Sequence, residues 1–331
     1  MKKSKFIIHL GGQKSGSSAI QGYLFFNRYA LYEKGLVYID KNFSGEQDKC
    51  ISHNHMLEMI RDETKEALDK KFKLLSTSYK NKNFIFSSEG LCTIAFLKEY
   101  ADKLSSLTNY FDVQLILYVR NQVEVHYSGW QQWGVPINLD FDTWVSKAVE
   151  EDRANWYKIA TIWKKYFRKS DFIVKVFNPN NLLNKDIVED FIMLTGIPSV
   201  KSKVPSRANY TFSDLAIQVI LNVARINNID LRDLFQRLKK EPPEFLKLEK
   251  ENLVLSEKMN TYIKNYYYIK NELLFQTFNI DKEAQTLFNI PLIEPLVDKS
   301  CYDLPSLSDE FEKYLEKKYP LLINNIKENN C

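Results

Sequence analysis

Lys5-Phe6-Ile7-Ile8-His9-Leu10 leads directly into Gly11-Gly12-Gln13-Lys14-Ser15-Gly16-Ser17-Ser18-Ala19-Ile20-Gln21. The first part is an apolar run of strand length, and the second is a loop rich in glycine and serine that opens a helical pattern. Gly11 and Gly16 allow the backbone to turn its N–H groups inward, and Ser17 and Ser18 begin a helix whose positive end favours an anion. The segment therefore predicts a phosphate-binding loop between a buried strand and a helix.

Short apolar runs alternate with longer segments of helical period in the rest of the N-terminal half and beyond it. The predicted strands cover residues 5–10, 36–39, 83–87, 113–119 and 172–176. The predicted helices cover residues 17–34, 56–79, 91–110 and 122–133, the segments around Trp144 and Trp156, and a segment around Phe191 that ends at Gly196. This alternation predicts an α/β fold of the P-loop type, with three layers and a central parallel sheet of about five strands flanked by helices.

The C-terminal third has a different pattern. Residues 198–205 are polar and predict a linker or surface loop, and residues 213–264 predict helices with no further strand. The aromatic content of this part predicts that it packs back onto the sheet. We therefore expect one domain over residues 1–331, with a core at about 5–197 and a helical C-terminal extension at about 207–331.

The composition limits the class of protein. The chain has 331 residues, of which 44% are hydrophobic and 27% charged, as expected for a soluble globular protein. Its net charge is only +4, with lysines and glutamates interleaved, which argues against a nucleic-acid partner. No apolar run approaches the ~18 residues of a membrane span, and residues 6–10 are too few for an export signal. Four scattered cysteines argue against a disulfide framework, so we expect a cytoplasmic protein of unspecified oligomeric state.

The loop differs from the nucleotide triphosphatase pattern G-x-x-x-x-G-K-[ST] at one position. Gly11 and Gly16 have the required separation, and Ser18 stands where a hydroxyl would bind magnesium. Position 17 is serine instead of lysine, and the lysine of the loop, Lys14, comes three residues earlier. Because an ATP-dependent enzyme needs a cation at the start of the helix, the pattern favours a shorter group that Lys14 can reach.

The segment Lys14-Ser15-Gly16-Ser17-Ser18 resembles the K-[ST]-G-T-T loop of sulfotransferases that use 3′-phosphoadenosine 5′-phosphosulfate (PAPS). The second signature of that family is an arginine at a strand end with a serine eight residues on, and Arg120 and Ser128 match it. Ser87-Ser88-Glu89-Gly90 is also similar to a strand-end segment of bacterial members. The resemblance covers about residues 5–197. It departs from the family at Gln13, where many relatives have proline, and it lacks the R-K-G-x-x-G nucleotide loop.

The resemblance implies transfer of a sulfuryl group from PAPS to a hydroxyl or amine of a carbohydrate or small-molecule acceptor, with 3′-phosphoadenosine 5′-phosphate (PAP) as product and no metal. It also implies which residues bind the donor. The expected donor-binding residues are Gln13, Lys14, Ser15, Gly16, Ser17 and Ser18 for the phosphosulfate, and Arg120 and Ser128 for the 3′-phosphate. Lys14 is the expected catalytic cation, because charge develops on the bridging oxygen as the sulfur–oxygen bond breaks.

The acceptor must lose a proton, which calls for a general base. Glu89 is the first candidate because it follows a predicted strand, at the edge where open parallel sheets bind ligands, and because related glycan sulfotransferases use a glutamate. His55 is the second candidate, because histidine titrates in a useful range. The structural alternatives are a charge in the first turn of a helix for Glu89 and a surface or capping position for His55.

Two other patterns have alternative interpretations. Cys50-x-x-His53-x-His55 lacks a fourth ligand at a recognisable spacing, which argues against zinc. Trp130 and Trp133 either line an acceptor groove or belong to the core. At the level of function, the alternatives are a P-loop kinase, in which Glu89 would hold magnesium, and a non-catalytic nucleotide-binding protein.

Overall fold

A computed structural model describes residues 3–46, 49–201, 212–247, 255–291 and 304–319. The chain divides into two compact units. The sheet unit comprises residues 1–121, 151–205 and 267–290, and the helical unit comprises residues 122–150, 206–266 and 291–331. Half of the linker predicted at 198–205, residues 202–205, lies outside the described residues. The expectation of a single domain stays a prediction.

The sheet unit contains the predicted parallel sheet. Its strands are β1 (Lys5–His9), β2 (Leu36–Tyr38), β3 (Asn83–Ser87), β4 (Asp112–Val119) and β5 (Asp171–Val176). They are arranged in the order β2-β3-β1-β4-β5, and every neighbouring pair is parallel. The predicted α/β class and five-stranded sheet are thus confirmed. Because β3 and β4 flank β1, the segments that follow these three strands emerge at one edge of the sheet.

The described helices surround this sheet or form the helical unit. In chain order they are α1 (Ser17–Phe26), α2 (Arg28–Glu33), α3 (Met56–Asp62), α4 (Lys65–Ser78), α5 (Leu97–Ser105), α6 (Leu107–Tyr110), α7 (Gln122–Gly129), α8 (Phe141–Glu150), α9 (Trp156–Tyr166), α10 (Ile187–Thr195), α11 (Asp214–Ile226), α12 (Leu231–Lys240), α13 (Glu257–Thr277), α14 (Lys282–Asn289) and α15 (Leu304–Lys318). In the part of the chain that the structure describes, none of them has the length and apolar character needed to cross a bilayer.

Three predicted helices are interrupted. The helix expected at 17–34 breaks at Asn27, whose buried side-chain amide donates to the carbonyl oxygen of Tyr23 at 2.8 Å. The helix expected at 56–79 restarts at α4, where the Thr64 hydroxyl accepts a hydrogen bond from the backbone of Ala67. The helix expected at 91–110 begins only at Leu97, after two 3₁₀ turns. The apolar period predicts these helices correctly, and local polar contacts set where they break.

A buried polar network joins the two strands at one side of the sheet to α10. The Asp190 carboxylate is fully buried and accepts hydrogen bonds from the Tyr118 hydroxyl at 2.7 Å, Lys175 Nζ at 2.5 Å and the Leu183 backbone at 3.0 Å. Burial and the neighbouring Asp190 carboxylate raise the pKa of Tyr118, so its hydroxyl stays protonated as a donor. Because each partner is satisfied, this network fixes α10 against β4 and β5.

Residues 267–290 pack against the sheet, whereas packing of the helical segment 213–264 onto the sheet stays a prediction. The ring of Phe278 packs edge-on against that of Phe172 in β5, with centroids 5.4 Å apart. Asn178 Nδ2 donates to the carbonyl oxygen of Leu287 at 3.1 Å, and Asn121 Nδ2 donates to that of Phe288 at 2.8 Å. This segment therefore supports the residues just after β4 and β5.

The helical unit has its own buried aromatic cluster. Trp130 is buried and donates from Nε1 to the carbonyl oxygen of Leu139 at 2.9 Å, and its ring packs against Phe141. It lies in a π-helical turn, Trp130–Gly134, that continues α7. Trp130 is thus a core residue, whereas Trp133 is 37% exposed. Of the two interpretations of this tryptophan pair, the core one holds for Trp130.

Candidate functional site

The loop after β1 is shaped by close approach to its neighbours in the sheet unit. A Cβ added at Gly12 would lie 1.9 Å from the carbonyl oxygen of Tyr118, and one added at Gly11 would lie 3.1 Å from the Glu89 backbone nitrogen. Gly16 has φ +80° and precedes α1 as its N-cap. Only glycine fits the contact at Gly12, because any side chain would displace the end of β4. The loop is therefore held between the segments that follow β3 and β4.

This contact gives a prediction for stability. We expect Gly12→Ala to lower the free energy of unfolding by about 3 kcal/mol or more, because the clash is with backbone and cannot be relieved by a rotamer change. Gly196→Ala is the matched control, since φ there is +67° and nothing lies within 4 Å of an added Cβ. That control should lose only about 1–2 kcal/mol. Urea unfolding measures both, and equal losses would contradict the importance of the contact.

Arg120, directly after β4, is bound to the loop. Its Nη1 donates to the carbonyl oxygen of Lys14 at 2.7 Å, and its guanidinium lies 5.4 Å from the centre of the Phe177 ring. Its own carbonyl oxygen accepts a hydrogen bond from Trp156 Nε1 at 2.7 Å. Lys14 itself has φ +58°, a conformation that is uncommon for a residue with a side chain. The hydrogen bond from Arg120 to the Lys14 carbonyl oxygen stabilises this conformation and connects the loop after β1 to the end of β4.

Glu89 lies two residues after the end of β3 and is close to Gly11 of the loop. The Asn54 side-chain oxygen accepts hydrogen bonds from the Ser88 hydroxyl at 2.6 Å and the Gly90 backbone at 3.2 Å. Burial raises the pKa of Glu89, while the Lys14 ammonium and a hydrogen bond from Ser17 lower it. Burial predominates. A carboxyl group whose pKa is raised in this way accepts a proton more readily than an exposed one.

Lys14 shows the opposite shift. Burial lowers the pKa of its ammonium, the Arg120 charge lowers it further, and the Glu89 carboxylate raises it. Burial thus lowers the pKa of Lys14 and raises the pKa of Glu89, so the two values lie closer together than those of exposed side chains. A cation and a carboxylate with perturbed pKa values beside a glycine-rich loop are the features expected of a catalytic site.

Comparisons with known proteins show only distant likenesses. No protein-family model matches the chain, and no curated protein matches it. A sulfotransferase from Alicyclobacillus acidocaldarius is similar in structure, at 13% identity over 86% of this chain and 99% of that chain, with a TM-score of 0.45. A structure of the PezAT chromosomal toxin–antitoxin system of Streptococcus pneumoniae is similar at 13% identity over 83% of this chain and 88% of that chain, with a TM-score of 0.25. Both are too distant to identify a function.

His55 lies close to the Glu89 segment but is exposed. It belongs to the 3₁₀ turn His53–His55, whose Asn54 binds Ser88 and Gly90. His55 Nδ1 is 2.8 Å from the carbonyl oxygen of Ser52. Because a carbonyl oxygen only accepts, Nδ1 carries the hydrogen, and Nε2 is the basic atom of the neutral ring. The ring of His53 is buried between those of Tyr38 and Phe86.

The remaining predicted residues are placed as follows. Ser15 and Ser17 are buried within the loop, whereas Ser18 is exposed on the first turn of α1. Ser128 lies on α7 in the helical unit, and its joint action with Arg120 stays a prediction. Among the described residues, no group of three or more histidine, cysteine or acidic side chains is arranged to hold a metal ion.

Sequence reasoning missed the residues that position the site. Asn54, Trp156 and Phe177 hold the Glu89 segment, the Arg120 carbonyl and the Arg120 guanidinium, respectively. The sequence carried no signal for these three roles, because the contacts depend on tertiary packing.

Proposed function

We propose that the chain is a sulfotransferase that moves the sulfuryl group of PAPS to a hydroxyl, or an amine, of a carbohydrate acceptor. The observation that supports this most directly is the arrangement of charges around one loop. Arg120 donates to the backbone of Lys14, and the Lys14 ammonium interacts with the Glu89 carboxylate across that loop. In this proposal Arg120 binds an anionic group of the donor, Lys14 is the catalytic cation and Glu89 is the base, and the three residues follow neighbouring strands of the sheet.

The residues fit the two anionic groups of such a donor. The loop and the first turn of α1 would contribute backbone N–H groups for the 5′-phosphosulfate at the positive end of the helix. Arg120 suits the 3′-phosphate because its planar guanidinium donates several hydrogen bonds at once. Ser128 would supply a further donor. The scheme needs no metal, because lysine and backbone amides neutralise the charge.

The reaction is an in-line displacement at sulfur. A lone pair of the acceptor oxygen forms a new S–O bond while the bond between sulfur and the bridging phosphate oxygen breaks, and its electron pair stays on that oxygen. Lys14 stabilises the negative charge that grows there, which is stronger in the transition state than in the ground state. The acceptor proton passes to the Glu89 carboxylate. The products are the sulfate ester, PAP and protonated Glu89, and His55 Nε2 is the second candidate for this proton.

Ligand-dependent thermal stability tests the donor. A ligand that binds only the folded protein raises its stability by RT ln(1 + [L]/Kd), about 2.7 kcal/mol at a hundredfold excess over Kd. We expect PAP to raise Tm by several degrees, and ATP, with or without magnesium, to raise it much less. Strong stabilisation by magnesium-ATP without an effect of PAP would refute the sulfotransferase and favour a phosphotransferase.

A further inference from the structure

A cavity of about 470 Å³ lies beside the loop, within the sheet unit. Its inner wall is formed by the buried residues Cys92, Ala154, Trp156 and Ile159. This volume falls within the range of small-molecule pockets, roughly 300–1,000 Å³. These four side chains are at most 4% exposed, so this end of the cavity faces the interior of the protein.

The mouth of the cavity is polar. It is lined by Gln13 of the loop, Thr93, and the ion pair in which Arg153 Nε lies 2.6 Å from Glu151 Oε2. An amide, a hydroxyl, a guanidinium and a carboxylate together donate and accept hydrogen bonds in several directions. An apolar wall below such a mouth suits a ring that has a hydrocarbon face and several hydroxyl groups.

The cavity is lined by a residue of the loop and by a residue of the turn that contains Glu89. Gln13 lies between Gly12 and Lys14 in the loop, and Cys92 lies on the same 3₁₀ turn as Glu89, Glu89–Cys92. The charge of Glu89 acts on the Cys92 thiol, so the proposed base and the cavity wall are close. The cavity therefore lies next to both the loop and the turn that carries the proposed base.

The two ends of Arg120 face different neighbours. The Arg120 guanidinium faces the loop backbone and the ring of Phe177, whereas its carbonyl oxygen faces Trp156 of the cavity wall. A 3′-phosphate bound by the guanidinium would therefore lie away from the Trp156 side of the cavity.

A network of hydrogen bonds fixes the backbone at the mouth of the cavity. Asp152, between the two charged residues of the ion pair, accepts hydrogen bonds from Asn155 Nδ2 at 2.9 Å, Lys158 Nζ at 3.0 Å and Lys270 Nζ at 3.2 Å. The Tyr267 hydroxyl donates to the carbonyl oxygen of Arg153. Both neighbours of Arg153 have φ +57°, so this network holds an uncommon backbone conformation. A fixed mouth lowers the entropy lost when a ligand binds.

We propose that this cavity is the acceptor pocket and takes the terminal sugar unit of a short saccharide, with Gln13 and the Glu151–Arg153 pair binding its hydroxyls. In this proposal internal units of a polymer are excluded, because the polymer would have to continue past the buried wall formed by Cys92, Ala154, Trp156 and Ile159. The proposal rests on the sulfotransferase function proposed above. It adds where the acceptor binds and which unit of the saccharide is sulfated.

Filling the pocket tests the location. Ala95 lines the cavity and is exposed in the middle of the 3₁₀ turn Ile94–Phe96, so we expect Ala95→Trp to block the mouth without disturbing the core. Ala30→Trp, at an exposed position of α2 outside the cavity, is the matched control. With PAPS and a panel of 4-nitrophenyl glycosides as acceptors, we expect Ala95→Trp to lose at least tenfold in transfer rate. The control should keep its rate, and both variants should keep the rise in Tm with PAP.

A chain-length series tests the choice of substrate end. Glycosides, short oligosaccharides and polysaccharides of the same sugar are incubated with PAPS, and the sulfated unit is located by mass spectrometry. We expect sulfate on terminal units and a rate per chain that does not grow with length. Sulfation of internal units, unchanged transfer in Ala95→Trp, or no transfer to any glycoside in a protein that PAP stabilises would overturn the pocket. Failure of PAP to stabilise the wild-type protein would instead refute the donor, which is a separate result.

Discussion

Lys14→Met is expected to lower kcat for sulfuryl transfer by about 10²–10³-fold, the usual effect of removing one charged or hydrogen-bonding group that acts on the transition state. Methionine is similar in length, and the carbonyl oxygen that accepts from Arg120 belongs to the backbone, so the loop should keep its shape. Affinity for PAP should change only a few-fold, because the variant removes a charge that matters mainly as the bridging bond breaks.

The pH profile separates this role from simple binding. Because burial lowers the pKa of Lys14 below its ordinary value of 10.5, the wild-type rate should fall on the alkaline side before that value. The alkaline fall should be absent in Lys14→Met. Lys98→Met, at an exposed position of α5, is the control and should keep rate and profile. A variant that lost PAP binding but kept kcat would show that Lys14 anchors the donor instead.

Glu89→Gln is expected to reduce kcat/KM by about 10²–10⁴-fold, the range attributed to general acid–base catalysis. The amide keeps the size of the side chain and cannot accept the acceptor's proton. Since burial raises the pKa of Glu89 above 4.5, the carboxylate forms only as pH rises through this higher value. The wild-type rate should therefore fall as pH is lowered through that pKa, and Glu89→Gln should lack this acid limb.

His55→Gln is the companion variant, because it removes the other candidate base from the neighbouring 3₁₀ turn. We expect it to change kcat/KM less than about threefold and to keep the acid limb. If instead His55→Gln lost the rate and the acid limb while Glu89→Gln kept both, the proton acceptor would be His55. Donor titrations with PAP, followed by Tm, check that each variant is folded.

The strands of the sheet were predictable because each is a short, mostly apolar run between polar segments, which is typical of a parallel strand. All five lie within one or two residues of the predicted bounds. The helix breaks were less predictable, since the one at Asn27 depends on a side-chain hydrogen bond to Tyr23 that competes with the helix. The apolar period of a sequence shows which face of a helix is buried. It does not show where a polar side chain interrupts the helix.

The candidate site was predictable where a local pattern determines it. The loop from Gly11 to Ser18 follows a strand directly, and Glu89 and Arg120 follow β3 and β4 at the same edge of the sheet. The contact between Arg120 and the Lys14 backbone could not be predicted, because it joins residues 106 positions apart through tertiary packing. The same holds for the contribution of α9 to the cavity wall.

In the loop after β1, the contacts that fix the backbone differ from the groups proposed to catalyse the reaction. The backbone is held at Gly12 by close approach to Tyr118 and at the Lys14 carbonyl oxygen by the Arg120 guanidinium, whereas the proposed catalytic groups are the side chains of Lys14 and Glu89. Substitution of these two side chains during evolution would therefore leave the backbone of the loop in place. A duplicated copy of the protein would in this way gain a different activity, or bind a nucleotide without catalysis, while keeping its fold.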